Sequence, residues 1–258
     1  MNGEVTGPLL VPHWPLPAGV RAVTTTRCGA GASSAPWDRF NLGDYVGDDA
    51  ASVAANRRKL GQLLGDVRPR WLSQVHGSTV VDLDVTVTEA PAPVADAAVT
   101  AARGQACALL TADCLPVLLC ACSGAVVGAA HAGWRGLAGG VLEAAVHAMG
   151  TSPAHITAWL GPCISQRAFE VGPEVREAFL AQDVEGAAAF ASGQGDRWFA
   201  DLQRLAHQRL VRLGLAASAV YRADACTYRE GGRFFSYRRD GTCGRMATLI
   251  WRVTDARG

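Results

Sequence analysis

Three residues of this sequence suit a soft metal ion: His76 in Gln74-Val75-His76-Gly77, Cys114 in Ala112-Asp113-Cys114-Leu115-Pro116, and His131 in His131-Ala132-Gly133-Trp134-Arg135-Gly136. Thiolate and imidazole are zinc donors, and three protein ligands with one open position are what a catalytic zinc needs to hold water or substrate. The three lie far apart along the chain without any local zinc-finger spacing, so spacing alone favours satisfied core residues over a shared site. Arg135 stands at a glycine-flanked helix start, where paired guanidinium donors would suit phosphate; an ordinary ion pair is the alternative. Asn41, in a polar loop, could hydrogen-bond a ribose or base, although loop asparagines most often serve a turn. Cys163 follows Gly161-Pro162 at a strand-to-helix turn where a helix dipole would lower its pKa; an inert buried cysteine fits as well. Arg238, Arg239 and Asp240 could close over an anionic substrate, or form a solvated cluster.

The elements that must position these residues can be read from periodicity. Val20 to Thr26 is β-branched and suits a strand, and Arg27 to Asp44 reads as a loop. Asp48 is expected to cap a helix carrying Val53, Leu60 and Leu64, stopped by Gly65. Trp71 to Val87 alternates well enough for strands around His76. Ala95 to Thr100, Ala106 to Leu110, Pro116 to Ala121 and Ala125 to His131 read as buried strands, with Thr111 to Cys114 at a break. A helix carrying Leu137, Val141, Leu142, Val146 and Met149 follows Gly133 and Gly136. His155 to Leu160, Val220 to Thr227 and Met246 to Val253 complete the strands, and Asp201 to Leu213 is an amphipathic helix closed by Gly214. Cys120 and Cys122 fall on one strand face as core residues, and His13, His147, His155 and His207 have no motif around them. The mixture predicts a single α/β or α+β layer fold over residues 1–258.

Composition narrows the function. Of 258 residues, 49% are hydrophobic and 18% charged, enough apolar material for a well-buried core and against general disorder. The 24 basic and 23 acidic residues leave a net charge of +1, which gives no broad electropositive footprint for nucleic acid. Lys59 is the sole lysine among the basic residues. The N-terminus lacks the basic region of a signal peptide, and the apolar stretch from Cys114 to Ala130 is broken and too short to span a bilayer. A cytoplasmic location is therefore expected, and the eight scattered cysteines are expected as free thiols.

Beyond spacing, the chain resembles the laccase-domain or polyphenol-oxidase-like family, also described as purine nucleoside phosphorylases and peptidoglycan editing factors. The resemblance runs nearly end to end through Thr25-Thr26-Arg27, Asn41-Leu42-Gly43, Gly47-Asp48-Asp49 with Asn56-Arg57, Gln74-Val75-His76-Gly77, Ala95-Asp96, Thr111-Ala112-Asp113-Cys114-Leu115-Pro116, His131-Ala132-Gly133-Trp134-Arg135-Gly136, Gly161-Pro162-Cys163-Ile164 and Ser236-Tyr237-Arg238-Arg239. It implies a layered α-β-β-α fold of the α+β class with mixed sheets, zinc held by His76, Cys114 and His131, and catalysis at the same residues. Two departures are small: Cys28-Gly29-Ala30 replaces a more glycine-rich run, and Phe169 stands where tyrosine is frequent.

The resemblance also implies phosphorolysis of adenosine, inosine and methylthioadenosine, and deamination of adenosine. Small-molecule nucleoside and phosphate are the expected partners, without nucleic acid or membrane. Deamination calls for water activated near neutral pH to attack C6 of the purine. Phosphorolysis calls for phosphate held beside C1′, with Arg135 placed for it. Two alternatives stay open: a copper polyphenol oxidase using the same Cys-His-His trio, against which stand the six histidines and no axial methionine among Met1, Met149 and Met246, and a peptidoglycan-precursor hydrolase with Cys114 as nucleophile and His131 as base.

Overall fold

A computed structural model of the protein describes residues 4–29, 31–86 and 91–254. The chain runs through strands β1 (Glu4–Thr6), β2 (Leu9–Val11) and β3 (Val20–Thr25), helix α1 (Ala50–Leu64), and strands β4 (Arg68–Arg70), β5 (Val80–Asp82), β6 (Ala97–Thr100), β7 (Gln105–Thr111), β8 (Leu115–Ala121) and β9 (Val127–Ala132). Helices α2 (Trp134–Ala138) and α3 (Val141–Ala148) follow, then β10 (Ile156–Leu160), β11 (Glu170–Val171), α4 (Pro173–Leu180), β12 (Phe190–Ser192) and β13 (Trp198–Ala200). The final elements are α5 (Leu202–Arg212), β14 (Val220–Arg222), α6 (Tyr237–Asp240) and β15 (Met246–Arg252).

Two six-stranded mixed sheets carry the fold, one ordered β1-β2-β3-β15-β7-β4 and the other β14-β10-β8-β9-β6-β5; β11-β13-β12 form a small third sheet. Side-chain alternation divides the core into layers. Leu118 and Cys120 of β8, Ala129 of β9, Leu109 of β7 and Ile250 of β15 fill the space between the large sheets. Leu115, Val117 and Leu119 point the other way, against Val141, Leu142 and Ala145 of α3 and Leu205 and Leu210 of α5. On the far face of the first sheet, Ala108, Leu110 and Leu249 meet Leu60 of α1, Phe40 and Leu42. This is the layered α-β-β-α arrangement. Covering both faces explains why β8 reads Leu-Pro-Val-Leu-Leu-Cys-Ala without polar alternation, every residue being buried.

Several sequence expectations need correction. Asp48 does not cap α1: the Asp49 carboxylate accepts from the Ser52 N–H at 2.8 Å, while Asp48 accepts from Ser33 Oγ and Asn41 Nδ2. The helix expected through Leu137 and Met149 is two helices, because Gly139 and Gly140 separate α2 from α3 and Gly140 takes φ 90°, outside helical backbone. Among the described residues of Trp71 to Val87 there is one strand, β5; the segment around His76 is a loop bound by side-chain acceptors, which hydrophobic alternation cannot register. Ala30 and Val87 lie outside the described residues. The strand expected over Val220 to Thr227 ends at Arg222, and Cys122 lies beyond β8 and is exposed.

The long loop between β3 and α1 is fastened to the helix by Asn56. Its Oδ1 accepts from the Ala32 N–H at 2.7 Å, and its Nδ2 donates to Ser33 Oγ at 2.9 Å and to the Asn41 carbonyl at 2.8 Å. Asn56 is buried, so removing the amide strands polar partners away from water. Asn56→Ala is expected to lower unfolding stability by about 2 kcal/mol, read from the denaturation midpoint at unchanged slope.

Candidate metal centre

Strand register brings the chemical residues together. In the β6–β9 ladder Ala97 faces Ala130, and one step further the His131 N–H donates to the Asp96 carbonyl at 2.7 Å. In the β8–β9 ladder Leu115 faces Ala132, so Cys114, one residue before β8, arrives beside Gly133. His76 comes from the loop before β5 and completes a cluster whose ligand atoms lie within 4.8 Å of one another. Its ring meets that of His131 edge-on, with centroids 4.8 Å apart.

Asp96 holds this cluster in place. One carboxylate oxygen accepts from His131 Nδ1 at 2.8 Å and the His76 N–H at 2.9 Å; the other accepts from the N–H groups of Gly77 at 2.7 Å and Val75 at 3.1 Å. Burial raises the Asp96 pKa, but hydrogen bonds from His131 and Gly77 outweigh it and hold the carboxyl below its ordinary range. The same bonds fix His76 at φ 61°, a left-handed conformation unfavourable for a side-chain-bearing residue. With Nδ1 of His131 engaged, Nε2 is the nitrogen left for a metal, the carboxylate–histidine arrangement that orients such ligands.

The donor set fits zinc. Cys114 Sγ lies 3.7 Å from His76 Nε2, against the S···N separation of about 3.6 Å that tetrahedral bonds of about 2.3 and 2.0 Å impose. Gly133 keeps the pocket open: a Cβ there would stand 2.8 Å from His76 Cδ2 and 3.0 Å from Cys114 Sγ. His131 is buried, Cys114 half-buried and His76 exposed, so the cluster opens to solvent on the His76 side. Burial pushes the Cys114 thiol up, but the neighbouring His131 and His76 outweigh burial and bring it down to about 6. Burial disfavours the His131 cation, while Cys114 and Asp96 more than compensate and raise its pKa. The two shifts support each other, a charged His131 favouring the Cys114 thiolate and the thiolate favouring the charged ring.

The other proposed residues have different fates. Arg135, on α2, is exposed with its guanidinium 4.4 Å from the centre of the Trp134 ring, and among the described residues no carboxylate pairs with it. Asn41 is turned into its own loop. It is fully buried, its Nδ2 donates to the Gly43 carbonyl and Asp48, and its Oδ1 accepts from the N–H groups of Gly43 and Arg245, so its hydrogen-bonding capacity is spent inside the loop. Cys163 is buried, as the inert alternative expected: its backbone forms an isolated parallel β-bridge with that of Cys226, both thiols are free, and burial pushes the Cys163 thiol well above the ordinary range with no long helix following to oppose that. Arg239 is tied to the Thr227, Tyr228 and Phe234 carbonyls and to Asp240, and is a brace for its loop. Met246 accepts from the Phe235 N–H between the sheets and Met149 packs against Gly128, so both are engaged in the core; Met1 lies outside the described residues.

Sequence reasoning passed over two groups near the cluster. Asp113, at φ 95°, accepts from Thr227 Oγ1 at 2.6 Å, Ser236 Oγ at 3.0 Å and the Arg238 N–H at 2.7 Å, joining the Cys114 turn to α6. Tyr45 and Tyr237 are 58% and 61% exposed, and Arg245 lies over both rings. The presence of Asp113 and Tyr237 in the matched segments was the available signal; their contacts were not predictable from it.

A layered α-β-β-α protein with a His-Cys-His centre at the ends of adjacent strands is the class these features define. The chain belongs to the family described as multi-copper polyphenol oxidoreductase laccase, which matches residues 21–253. It is 49% identical over 248 residues to a protein of Escherichia coli named purine nucleoside phosphorylase YfiH, covering 95% of this chain and 99% of that one. A Pseudomonas aeruginosa protein named purine nucleoside phosphorylase is 51% identical over 245 residues, with 94% and 97% covered. Among solved structures, a Neisseria meningitidis protein superposes with a TM-score of 0.90 at 44% identity, covering 96% of this chain and all 100% of that one. YlmD of Geobacillus stearothermophilus superposes at 0.91 with 31% identity, covering 98% and 99%.

Two outcomes are expected. Asp96→Asn replaces an acceptor with an amide that cannot receive all four bonds, and should weaken zinc binding about 10- to 100-fold in a chelator competition. In metal-free protein Cys114 should be alkylated at pH 7 well ahead of Cys163, more slowly as pH falls through about 6, and be protected by added zinc; peptide mapping by mass spectrometry reads all three effects.

Proposed function

We propose that this protein is a zinc-dependent purine nucleoside phosphorylase that also deaminates adenosine. The observation that carries the reading is the convergence of His76, Cys114 and His131 on one point, in a chain about half identical from end to end to proteins bearing the phosphorylase name. Its substrates are adenosine, inosine and methylthioadenosine, with phosphate as the second reactant. No helix among the described residues is long and apolar enough to cross a membrane.

Zinc, when bound, supplies Lewis acidity that brings a water's pKa toward neutrality. The chain's own residues hold and orient. His76, Cys114 and His131 provide the donors, and Asp96 keeps the His131 proton on Nδ1. In phosphorolysis a phosphate oxygen bonds to C1′ while the C1′–N9 bond breaks and its electron pair leaves with the base. Arg135, four residues after His131 with its guanidinium exposed, holds the incoming anion. In deamination water adds at C6 and ammonia departs.

A second reading follows from Cys114 beside His131, whose ring is held by Asp96 and whose charge lowers the thiol pKa, a pair that would equally suit a metal-free hydrolase acting on a peptidoglycan precursor through an acyl-thiol. The family's description also keeps copper in view for the same donors, and metal analysis with a visible spectrum separates it from zinc: stoichiometric copper with an intense thiolate band would displace zinc.

Incubating zinc-loaded protein with adenosine should give adenine and ribose 1-phosphate only when phosphate is present, and inosine with or without it. Cys114→Ala should lose both activities together with metal, at unchanged circular dichroism. Arg135→Ala should raise the phosphate KM about tenfold and alter deamination far less. Full activity after chelation would overturn the zinc reading.

A further inference from the structure

Next to the Cys114 turn, joined to it through Asp113, stands a second cluster that the donor set does not use. Tyr45 and Tyr237 are large aromatic side chains left mostly in solvent, at 58% and 61% exposure. They come from opposite ends of the chain and meet over one guanidinium: the central carbon of Arg245 lies 5.8 Å from the Tyr45 ring centre and 5.9 Å from that of Tyr237. The three side chains therefore form one exposed cluster.

Each is held there by residues already described. Tyr237 sits between Ser236 and Arg238, both of which donate to the Asp113 carboxylate immediately before Cys114. Arg245 is fixed through its backbone N–H on Asn41 Oδ1 and through guanidinium bonds to the Cys243 and Gly244 carbonyls. Gly43 lets it pass, since a Cβ at that position would stand 2.8 Å from Arg245 Cγ. Tyr45 also lines a cavity of about 540 Å³ whose wall includes Trp71, Arg57 and Gln74, and Gln74 is two residues from His76. A cavity of this size is in the range of small-molecule sites. Its wall is already braced: Arg57 pairs with Asp44 and covers the Trp71 ring at 4.6 Å, and Gln74 is bonded to Leu110 backbone, leaving Tyr45 as the aromatic surface common to the cavity and the Arg245 cluster.

We propose that Tyr45, Tyr237 and Arg245 form the seat of the substrate's planar heterocyclic base, with the Tyr45 ring as the face on which it stacks. Tyrosine rings and guanidinium planes accept any flat π-system, and an exposed ring gains by being covered. The arrangement holds the base by its faces and leaves the sugar directed toward the metal centre. Stacking of this kind tolerates different ring substituents, which suits acceptance of adenine and hypoxanthine alike. The inference rests on the nucleoside reading above and extends it to the residues that hold the base.

The test uses zinc-loaded protein with inosine and phosphate as substrates and free hypoxanthine and ribose 1-phosphate as product inhibitors. Tyr45→Leu retains bulk at an exposed position but removes the aromatic face. It should raise the inosine KM and the hypoxanthine inhibition constant about tenfold, while the phosphate KM, the ribose 1-phosphate inhibition constant and the zinc content stay within twofold. Tyr45→Phe and Tyr45→Trp should restore the values, and Tyr237→Leu should shift the same two constants as Tyr45→Leu. Equal losses for hypoxanthine and ribose 1-phosphate, or unchanged constants in Tyr45→Leu beside an active wild type, overturn the base seat and leave the proposed reaction standing. A wild type that turns over no nucleoside overturns the reaction itself, and the seat with it.

Discussion

A single buried carboxylate governs the architecture of this site. Asp96 is withdrawn from water and satisfied by four N–H donors, three from successive backbone positions and one from an imidazole. An anion so placed is tolerable only because every bond is made; it then becomes a rigid reference point. The loop bearing His76 has no ladder to define it, and takes its shape from that carboxylate. His131 takes its tautomer from the same atoms. Two of the three candidate metal donors therefore have their positions set by one residue that lies outside the donor set.

The third donor depends on strand pairing. Cys114 reaches the cluster because β8 and β9 pair in a register that puts Leu115 opposite Ala132, and a slip of one residue would turn the alternation over and carry the thiol to the other face. Apolar packing on both sides of this sheet enforces the register, so the helices of one layer and the second sheet of the other act on the chemistry without contacting it. Gly133 then admits the ligands to the space where their atoms meet.

Much of this was legible in the sequence. Long apolar runs marked β7, β8 and β9, helical periodicity marked α1 and α5, and the segments around His76, Cys114 and His131 carried the donor set. What escaped were features decided by tertiary contacts. Asp48 and Asp49 are both competent helix caps, and the choice between them turns on Asn41 and Ser33, which the folding back of the same loop brings onto Asp48. Asn41 looked available because a polar loop is normally wet; here the loop is folded inward over α1, and the amide is consumed by its own surroundings. Cys163 was judged by a helix that the chain does not form. The roles of Asp113 and the tyrosines arise from contacts spanning more than a hundred residues, to which no local pattern corresponds.

The position of β15 has a bearing on biosynthesis. This strand comes after every other in the chain, yet it lies in the interior of its sheet, paired with β3 on one side and β7 on the other. Until it leaves the ribosome, those two strands present bare edges toward each other across a gap that nothing else in the sheet fills. Without β15 neither β3 nor β7 has its full set of ladder partners, and because Arg245 directly precedes β15, the pairing that completes the sheet also places Arg245.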